Sequence, residues 1–207
     1  MNNPDTQEQT IQVWDPLVRI FHWSLVIFFF IAYFSEDDFE TIHVWAGYSV
    51  IALVGFRLIW GLIGTHHARF SDFVKSPSTV WDYVIAIPAG KAKRYIGHNP
   101  AGGAMVVALL LSLIGTTVFG MALLGADELE GPLAGTWIAS FDEHTLKEIH
   151  EFFVNSTLVL VVLHIGGVLF SSLHHWENLP RAMINGLKAR REGDVDALAT
   201  QSTESER

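Results

Sequence analysis

The chain has 207 residues, half of them apolar, and a positive mean hydropathy; that balance fits several membrane-spanning helices joined by short polar loops and sets it apart from an ordinary soluble domain. A net charge of −9 argues against nucleic acid as a partner. The absence of cysteine excludes disulfides, thiolate-held zinc and iron–sulfur clusters, and covalent haem attachment through C-x-x-C-H, so a protein-held cofactor must rely on histidine, methionine, tyrosine or carboxylates. Ten histidines are available.

Residues 1–14 read as a short flexible lead. They carry Asp5 and Glu8 but no basic residue, unlike the positive start of a cleaved secretory signal. Asp15-Pro16 supplies an N-cap followed by proline at the first helical position, and a first apolar helix is predicted over 16–34. A polar acidic loop (Ser35, Glu36, Asp37, Asp38, Glu40) leads to a second helix over 42–63. Residues 64–78 are a polar connection. Residues 79–96 mix aromatic and basic side chains and are interrupted by Pro88 and Gly90, which predicts a segment at the membrane surface. A third helix is expected over 102–124, an acidic loop over 125–145, and a fourth helix over 145–173. A surface helix near 178–188 and a disordered tail over 191–207 complete the chain. The expected fold class is all-α: an integral membrane four-helix bundle within residues 15–190, with surface amphipathic segments and cofactors between helices.

Basic residues set the predicted orientation. Of 13 Lys and Arg, only Lys147 lies in or beside the two acidic loops. The opposite side holds Arg69, Lys75, Lys91, Lys93, Arg94, Arg181, Lys188, Arg190 and Arg191, with Arg19 and Arg57 near helix ends there. By the positive-inside rule both termini are cytoplasmic and the acidic loops face outward.

Four histidines fall in or at the ends of the apolar helices: His22, His43, His150 and His164. Polar groups at membrane depth are costly and tend to mark function. His150 and His164 are 14 residues apart, so they point within about 40° of each other and differ in depth by about 21 Å. The first helix enters from inside, which puts His22 near its inner end. The second enters from outside, which puts His43 near its outer end. Depth then pairs His22 with His164 and His43 with His150. Two imidazoles facing each other across a helical bundle are what bis-histidyl haem iron needs. The separation of the pairs precludes a single tetrahedral metal site.

Other residues carry two readings each. Gly47, one turn past His43, leaves room for a flat macrocycle or for ordinary close helix packing, and so do Gly166 and Gly167 after His164. His98 and Asn99, ahead of the third helix, are placed to bond a haem propionate or a quinone carbonyl, or else to cap a loop. Arg19 is placed to pair with a propionate or to anchor the helix by snorkelling. His66, His67, His174 and His175 read as interfacial, and His144 competes with His150 as outer ligand. Seven tryptophans near helix ends form an aromatic belt.

With these residues in view, the chain resembles the bacterial cytochrome b561 family, which includes the b-type cytochrome subunits of nickel–iron hydrogenases and similar subunits of formate dehydrogenases. The resemblance covers roughly residues 13–190. Val13-Trp14-Asp15-Pro16 with Arg19-Ile20-Phe21-His22-Trp23 looks like the family's first helix, and His43, Gly47 and Arg57 like its second. Arg94-Tyr95-Ile96-Gly97-His98-Asn99-Pro100 leads into the third, and His150, His164, Gly166, Gly167 and Glu177-Asn178-Leu179 look like the fourth and its exit. It implies two non-covalent b haems, His22 and His164 holding the inner iron and His43 and His150 the outer, and electron exchange with quinone in the inner membrane. It also implies a partner redox protein, a hydrogenase- or dehydrogenase-type subunit. The acidic outer loops would equally suit a basic c-type cytochrome.

Three functions compete at this stage. A dihaem carrier would link quinone to the partner. A superoxide:quinone oxidoreductase would use the same histidines but want a basic outer pocket, where Lys147 stands alone. A haem-free transporter or assembly subunit would want intramembrane carboxylates, which the apolar helices lack.

Overall fold

The computed structural model describes residues 10–36, 39–191 and 193–195. Its elements are β1 (Thr10–Gln12), α1 (Pro16–Phe34), α2 (Glu40–Ile63), α3 (Phe70–Phe73), α4 (Pro77–Ala86), α5 (Pro100–Asp127), α6 (Glu143–His174), α7 (Leu179–Asn185) and β2 (Leu187–Ala189). Helices α1, α2, α5 and α6 are long and apolar enough to cross a membrane. Only 39% of the most apolar stretch of α5 and 6% of that of α6 is buried within the protein. Exposed apolar side chains on the four helices include Ile27, Leu62, Leu111 and Val162, which is the pattern of helices facing lipid. The chain is a multi-pass membrane protein.

Polar residues at the helix starts explain the boundaries. Asp15 Oδ1 accepts from the Val18 amide at 3.0 Å, with Pro16 next. Asn99 Oδ1 accepts from Gly102 N at 2.7 Å, ahead of Pro100. Asp142 Oδ2 accepts from both the amide and the hydroxyl of Thr145, at 2.9 and 2.6 Å. These caps extend α5 and α6 to Pro100 and Glu143, two residues earlier than the apolar runs at 102 and 145 indicate. Each cap satisfies an amide that the first turn leaves without a helical acceptor.

The chain gathers into two compact units. The first takes the described residues up to Arg19, Trp60–Met105 and those from His164 onward; the second takes Ile20–Ile59 and Val106–Leu163. The second unit thus takes α1 from Ile20 to its end, α2 from its start to Ile59, α5 from Val106 to its end and α6 from its start to Leu163, with the α1–α2 and α5–α6 connections.

In the first unit the expected flexible lead does not extend through residue 14. β1 pairs antiparallel with β2, Ile11 opposite Lys188. Val13 and Trp14 are buried with Val18, Ala68, Ile96 and Ala182. The cause is an apolar segment (Ile11, Val13, Trp14) that finds both a strand partner and a core. Gly186, at φ +83°, ends α7 in the left-handed region that favours glycine. Its carbonyl accepts from the amides of Val13 and Trp14 at 2.8 and 3.2 Å. A β-carbon there would stand 2.6 Å from the Trp14 carbonyl oxygen. The expected surface helix at 178–188 is therefore shorter, because the chain turns at Gly186 to form the strand.

The expected tail likewise begins later than 191. Arg94 donates to Asp194 at 2.5 Å, to Glu177 at 2.9 Å and to the Ala189 carbonyl at 2.9 Å. Lys188 reaches Glu177 at 3.2 Å. Two cations and two carboxylates are thus buried together, and Asp194 is only 1% exposed. Burial alone would lower the Arg94 pKa, but Asp194 and Glu177 more than reverse this and hold it above its usual value. Burial dominates at Lys188 and lowers its pKa despite Glu177. Residues 1–9 and 196–207, the rest of the expected lead and tail, lie outside the described residues.

Removing one member of a buried charge cluster strands its partners. Asp194→Ala is expected to destabilise the first unit by about 3 kcal/mol or more, read as a lower Tm and as protease cleavage near residue 190. Asp15 gives a pH signature. Its burial raises the carboxyl pKa, but hydrogen bonds from Thr65, Val18, Trp60 and Leu17 outweigh this and hold it below the ordinary value of 3.8. A carboxylate depressed in the folded state stabilises above the unfolded value and loses that contribution as pH falls through the folded one. Wild-type Tm should therefore drop more steeply below about pH 4 than that of Asp15→Asn, and parallel profiles for the two proteins would refute the assignment.

Candidate functional site

The second unit holds a cavity with about 700 Å³ of open space, including its mouth. It is bounded by α1 (Phe29, Ala32, Tyr33), α2 (His43, Val44, Gly47, Tyr48, Val50), α5 (Leu113, Thr116, Thr117, Gly120, Met121, Leu124) and α6 (His150, Val154), with Glu36 beside α1. The lining is mostly apolar and aromatic, with few polar groups, as at many cofactor sites.

His43 and His150 enter this cavity from different helices, with ring centroids 6.2 Å apart and ring planes at 79°. His43 Nδ1 lies 2.9 Å from the Ala32 carbonyl oxygen. His150 Nδ1 lies 2.8 Å from that of Thr116. A carbonyl only accepts, so each Nδ1 must carry the proton. Both rings are then held as the tautomer whose Nε2 lone pair is available to a metal, with the carbonyl bond fixing the ring and raising its basicity. Edge-to-face packing by itself spans the same centroid distance; the two matched tautomers in an open apolar cavity are what would suit the pair to a metal.

The carbonyls are available for stated reasons. Ala32 lies in the last turn of α1, where carbonyls lack full helical partners. Thr116 lies within α5 and offers its second lone pair. The His150 ring reaches it because residue 120, one turn on, is glycine. A β-carbon on Gly120 would stand 2.9 Å from His150 Cε1 and 3.1 Å from Nδ1. Gly115 does the same for Phe153, whose ring would lie 2.5 Å from an added β-carbon. Buried Ser112 and Thr157 join α5 to α6: Thr157 donates its hydroxyl to the Phe153 carbonyl at 2.8 Å, and the Ser112 hydroxyl, with its one proton, donates to Thr157 Oγ1 at 2.8 Å in place of the same carbonyl at 3.2 Å. That polar clamp sits one turn from Thr116 on α5 and two turns from His150 on α6, so it sets the register in which the carbonyl meets the ring.

The remaining sequence-identified residues lie as follows. A β-carbon on Gly47 would meet no atom within 4 Å, so this glycine faces the cavity's open space. His144 is exposed and pairs with Glu148 at 3.3 Å, outside the cavity. His22 is half-buried on α1 with its ring 5.1 Å from Trp23. It belongs to the second unit, whereas His164, half-buried on α6, belongs to the first. In the first unit His98 is packed between Trp14 and Phe73, both at 4.6 Å, while Asn99 is engaged as the α5 cap. Arg19 donates to the Ile184 carbonyl on α7. Gly166 and Gly167 are exposed, and among the described residues nothing lies within 4 Å of an added β-carbon.

The family model of prokaryotic cytochrome b561 matches residues 13–186. The chain belongs to that family. Among curated relatives, a protein of Bradyrhizobium diazoefficiens is 25% identical, over 86% of this chain and 85% of its own length. One of Azotobacter vinelandii is also 25% identical, over 87% of this chain and 89% of its own. Both are named "Probable Ni/Fe-hydrogenase B-type cytochrome subunit". No solved structure matches the chain.

Membership makes the chain a b-type cytochrome, an electron-transfer protein that carries haem b. The donor set fits this group. With no cysteine in the chain, imidazole is the natural iron ligand, and His43 and His150 present two with matched tautomers in an apolar cavity.

Sequence reasoning missed Gly115, Gly120, Ser112 and Thr157. The signal was a pair of glycines and a pair of hydroxyls inside otherwise apolar helices, a known mark of close helix contact. A sharp contrast follows between two glycines of the same cavity. Gly120→Ala should destabilise the protein by about 1–3 kcal/mol through overpacking against His150. Gly47→Ala meets no atom and should raise haem-free stability by up to about 1 kcal/mol through helix propensity. Tm of the two variants in detergent, prepared without haem, tests the difference in sign.

Proposed function

We propose that this protein passes electrons across the bacterial inner membrane between the quinone pool and a hydrogenase-type partner, using two haem b groups. His43 and His150 hold the outer haem and His22 and His164 the inner. The observation that carries this reading is the convergence of His43 and His150 on one cavity, each with its Nδ1 tied to a main-chain carbonyl. The inner pair rests on depth: 14 residues from His150 to His164 amount to about 21 Å along α6, and His22 lies near the matching end of α1. The partner is supported by the names of the relatives. Both termini are cytoplasmic, on the side richer in lysine and arginine.

Haem bound at these sites supplies a one-electron iron couple. The protein's own residues do the rest. His43 and His150 offer Nε2 as ligand atoms, and the Ala32 and Thr116 carbonyls keep the Nδ1 protons in place. The apolar lining excludes water, and with the hydrogen bonds to the ligands it tunes the potential. Gly47 leaves the α2 surface flat beside His43. On the outer side, Glu40 raises the Glu128 carboxyl pKa by repulsion. A concentration of negative charge suits a basic docking surface on the partner. Superoxide as substrate would favour free cations there, but Lys147 faces Glu151 at 4.0 Å.

Reduced-minus-oxidised spectra and haem content should show two b haems per chain, falling to one in each of His22→Ala, His43→Ala, His150→Ala and His164→Ala. The His43 and His150 variants should lose the same spectral component, and the His22 and His164 variants the other. A single haem in the wild type would overturn the transmembrane path, and loss of one component in the wrong pair would overturn the pairing.

A further inference from the structure

A second histidine cluster lies in the first unit, on the turn between α2 and α3. His66 and His67 form a single 3-10 turn with Ala68, and Asp72 follows in α3. His66 Nδ1 and His67 Nδ1 are 3.4 Å apart. His67 Nδ1 is 3.1 Å from Asp72 Oδ2, and His66 Nδ1 is 3.6 Å from Asp72 Oδ1. We propose that His66, His67 and Asp72 form a divalent-cation site suited to Zn²⁺, with a further position open to solvent.

The spacing is the first support. Zinc bonds to imidazole nitrogen and carboxylate oxygen are about 2.0–2.1 Å in tetrahedral geometry, which sets neighbouring ligand atoms about 3.3 Å apart. The His67–Asp72 Oδ2 and His66–His67 contacts of 3.1 and 3.4 Å bracket that value, and the other carboxylate oxygen, Oδ1, is 3.6 Å from His66. Valence is the second support. Two imidazole nitrogens and the Asp72 carboxylate converge, and each of the three groups can act as an acceptor. One proton bridges only two of them, whereas a cation satisfies all three. Two histidines and one carboxylate also form an established zinc donor set that leaves a coordination position open.

The turn is built to hold its shape. Thr65, just before it, donates its hydroxyl to Asp15 at 2.6 Å. Arg69, just after it, donates Nε to the Gly64 carbonyl at 2.7 Å. His67 and Asp72 have side chains only 16% exposed, while His66 is 74% exposed. Entry is therefore from the His66 side. Gly97 lies against the cluster, and a β-carbon there would come within 2.9 Å of His67 Nδ1 and 3.4 Å of Asp72 Oδ2. The cluster also adjoins His98, through Phe73 next to Asp72 and Gly97 next to His98. The bland reading is a His67–Asp72 hydrogen bond with His66 left in solvent, and it predicts no stoichiometric cation binding.

The test is calorimetric titration of Zn²⁺ into the full-length, haem-loaded protein in detergent after chelator treatment. The expected result is one Zn²⁺ per chain, with affinity at least about tenfold weaker in His66→Ala and in Asp72→Asn. His66 is exposed, so its variant keeps the fold, and an unchanged haem spectrum checks this. A His174→Ala, His175→Ala double variant should bind as the wild type does. No stoichiometric binding, unchanged affinity in His66→Ala, or loss of binding in the double variant would each overturn the proposal.

Discussion

An imidazole N–H donated to a main-chain carbonyl of a neighbouring helix is the interaction on which the outer site depends. It occurs twice, from His43 to Ala32 and from His150 to Thr116. In an apolar surrounding such a bond has no water to compete with it. It ties α1 to α2 and α5 to α6, and it also fixes which ring nitrogen is left for a ligand. A substitution that displaced either carbonyl would therefore act on helix packing and on cofactor chemistry together. The glycines and hydroxyls around the site are consequences of this. Gly120 exists as glycine because the His150 ring must lie on the α5 backbone to reach Thr116. Ser112 and Thr157 hold the two helices in the register that permits it.

The first unit solves a different problem. Its segments come from three separate stretches of sequence, and they are joined by a short β ladder, a small apolar core and a charge cluster. Hydrophobic burial gives such a unit cohesion but little direction. The cluster adds direction, because Arg94 must meet Asp194, Glu177 and the Ala189 carbonyl at once. Meeting all three acceptors at once constrains how the 91–97 segment and the C-terminal segment are arranged.

Much of this was legible in the sequence. The four apolar helices, their order, and the cap at Asp15 follow from uncharged runs and an Asp-Pro pair. The pairing of His43 with His150 follows from helical rise and alternating direction. What was not legible has a common cause. Asn99 and Asp142 are helix caps that stand ahead of the apolar runs, and hydropathy does not see them. β1 is three residues long, and its partner lies at the far end of the chain, so no local pattern announces it. Asp194 looks like part of a polar tail until Arg94, one hundred positions earlier, is brought to it. Gly120 carries no chemistry of its own, and its value appears only when the ring that occupies its missing side chain is in place. Asn99 had two readings in sequence, and the cap is the one that the geometry displays.

Buried pairing also bears on topology. Arg94 and Lys188 count toward the basic excess from which the orientation is proposed, yet in the folded protein both are neutralised by Glu177 and Asp194. There is no conflict, because the two facts belong to different moments. The positive-inside bias counts lysine and arginine near the ends of apolar segments while the chain is inserted, and acidic residues contribute little to it. Pairing comes later, when residues distant in sequence meet. The same two cations can therefore retain a loop during insertion and then be withdrawn into a neutral cluster. Among the described residues of the 91–97 and C-terminal segments, that leaves Lys91, Lys93, Arg181, Arg190 and Arg191 as the exposed or half-exposed basic groups. Folding thus changes the charge that this lysine- and arginine-rich side presents without altering the count of basic residues that is read during insertion.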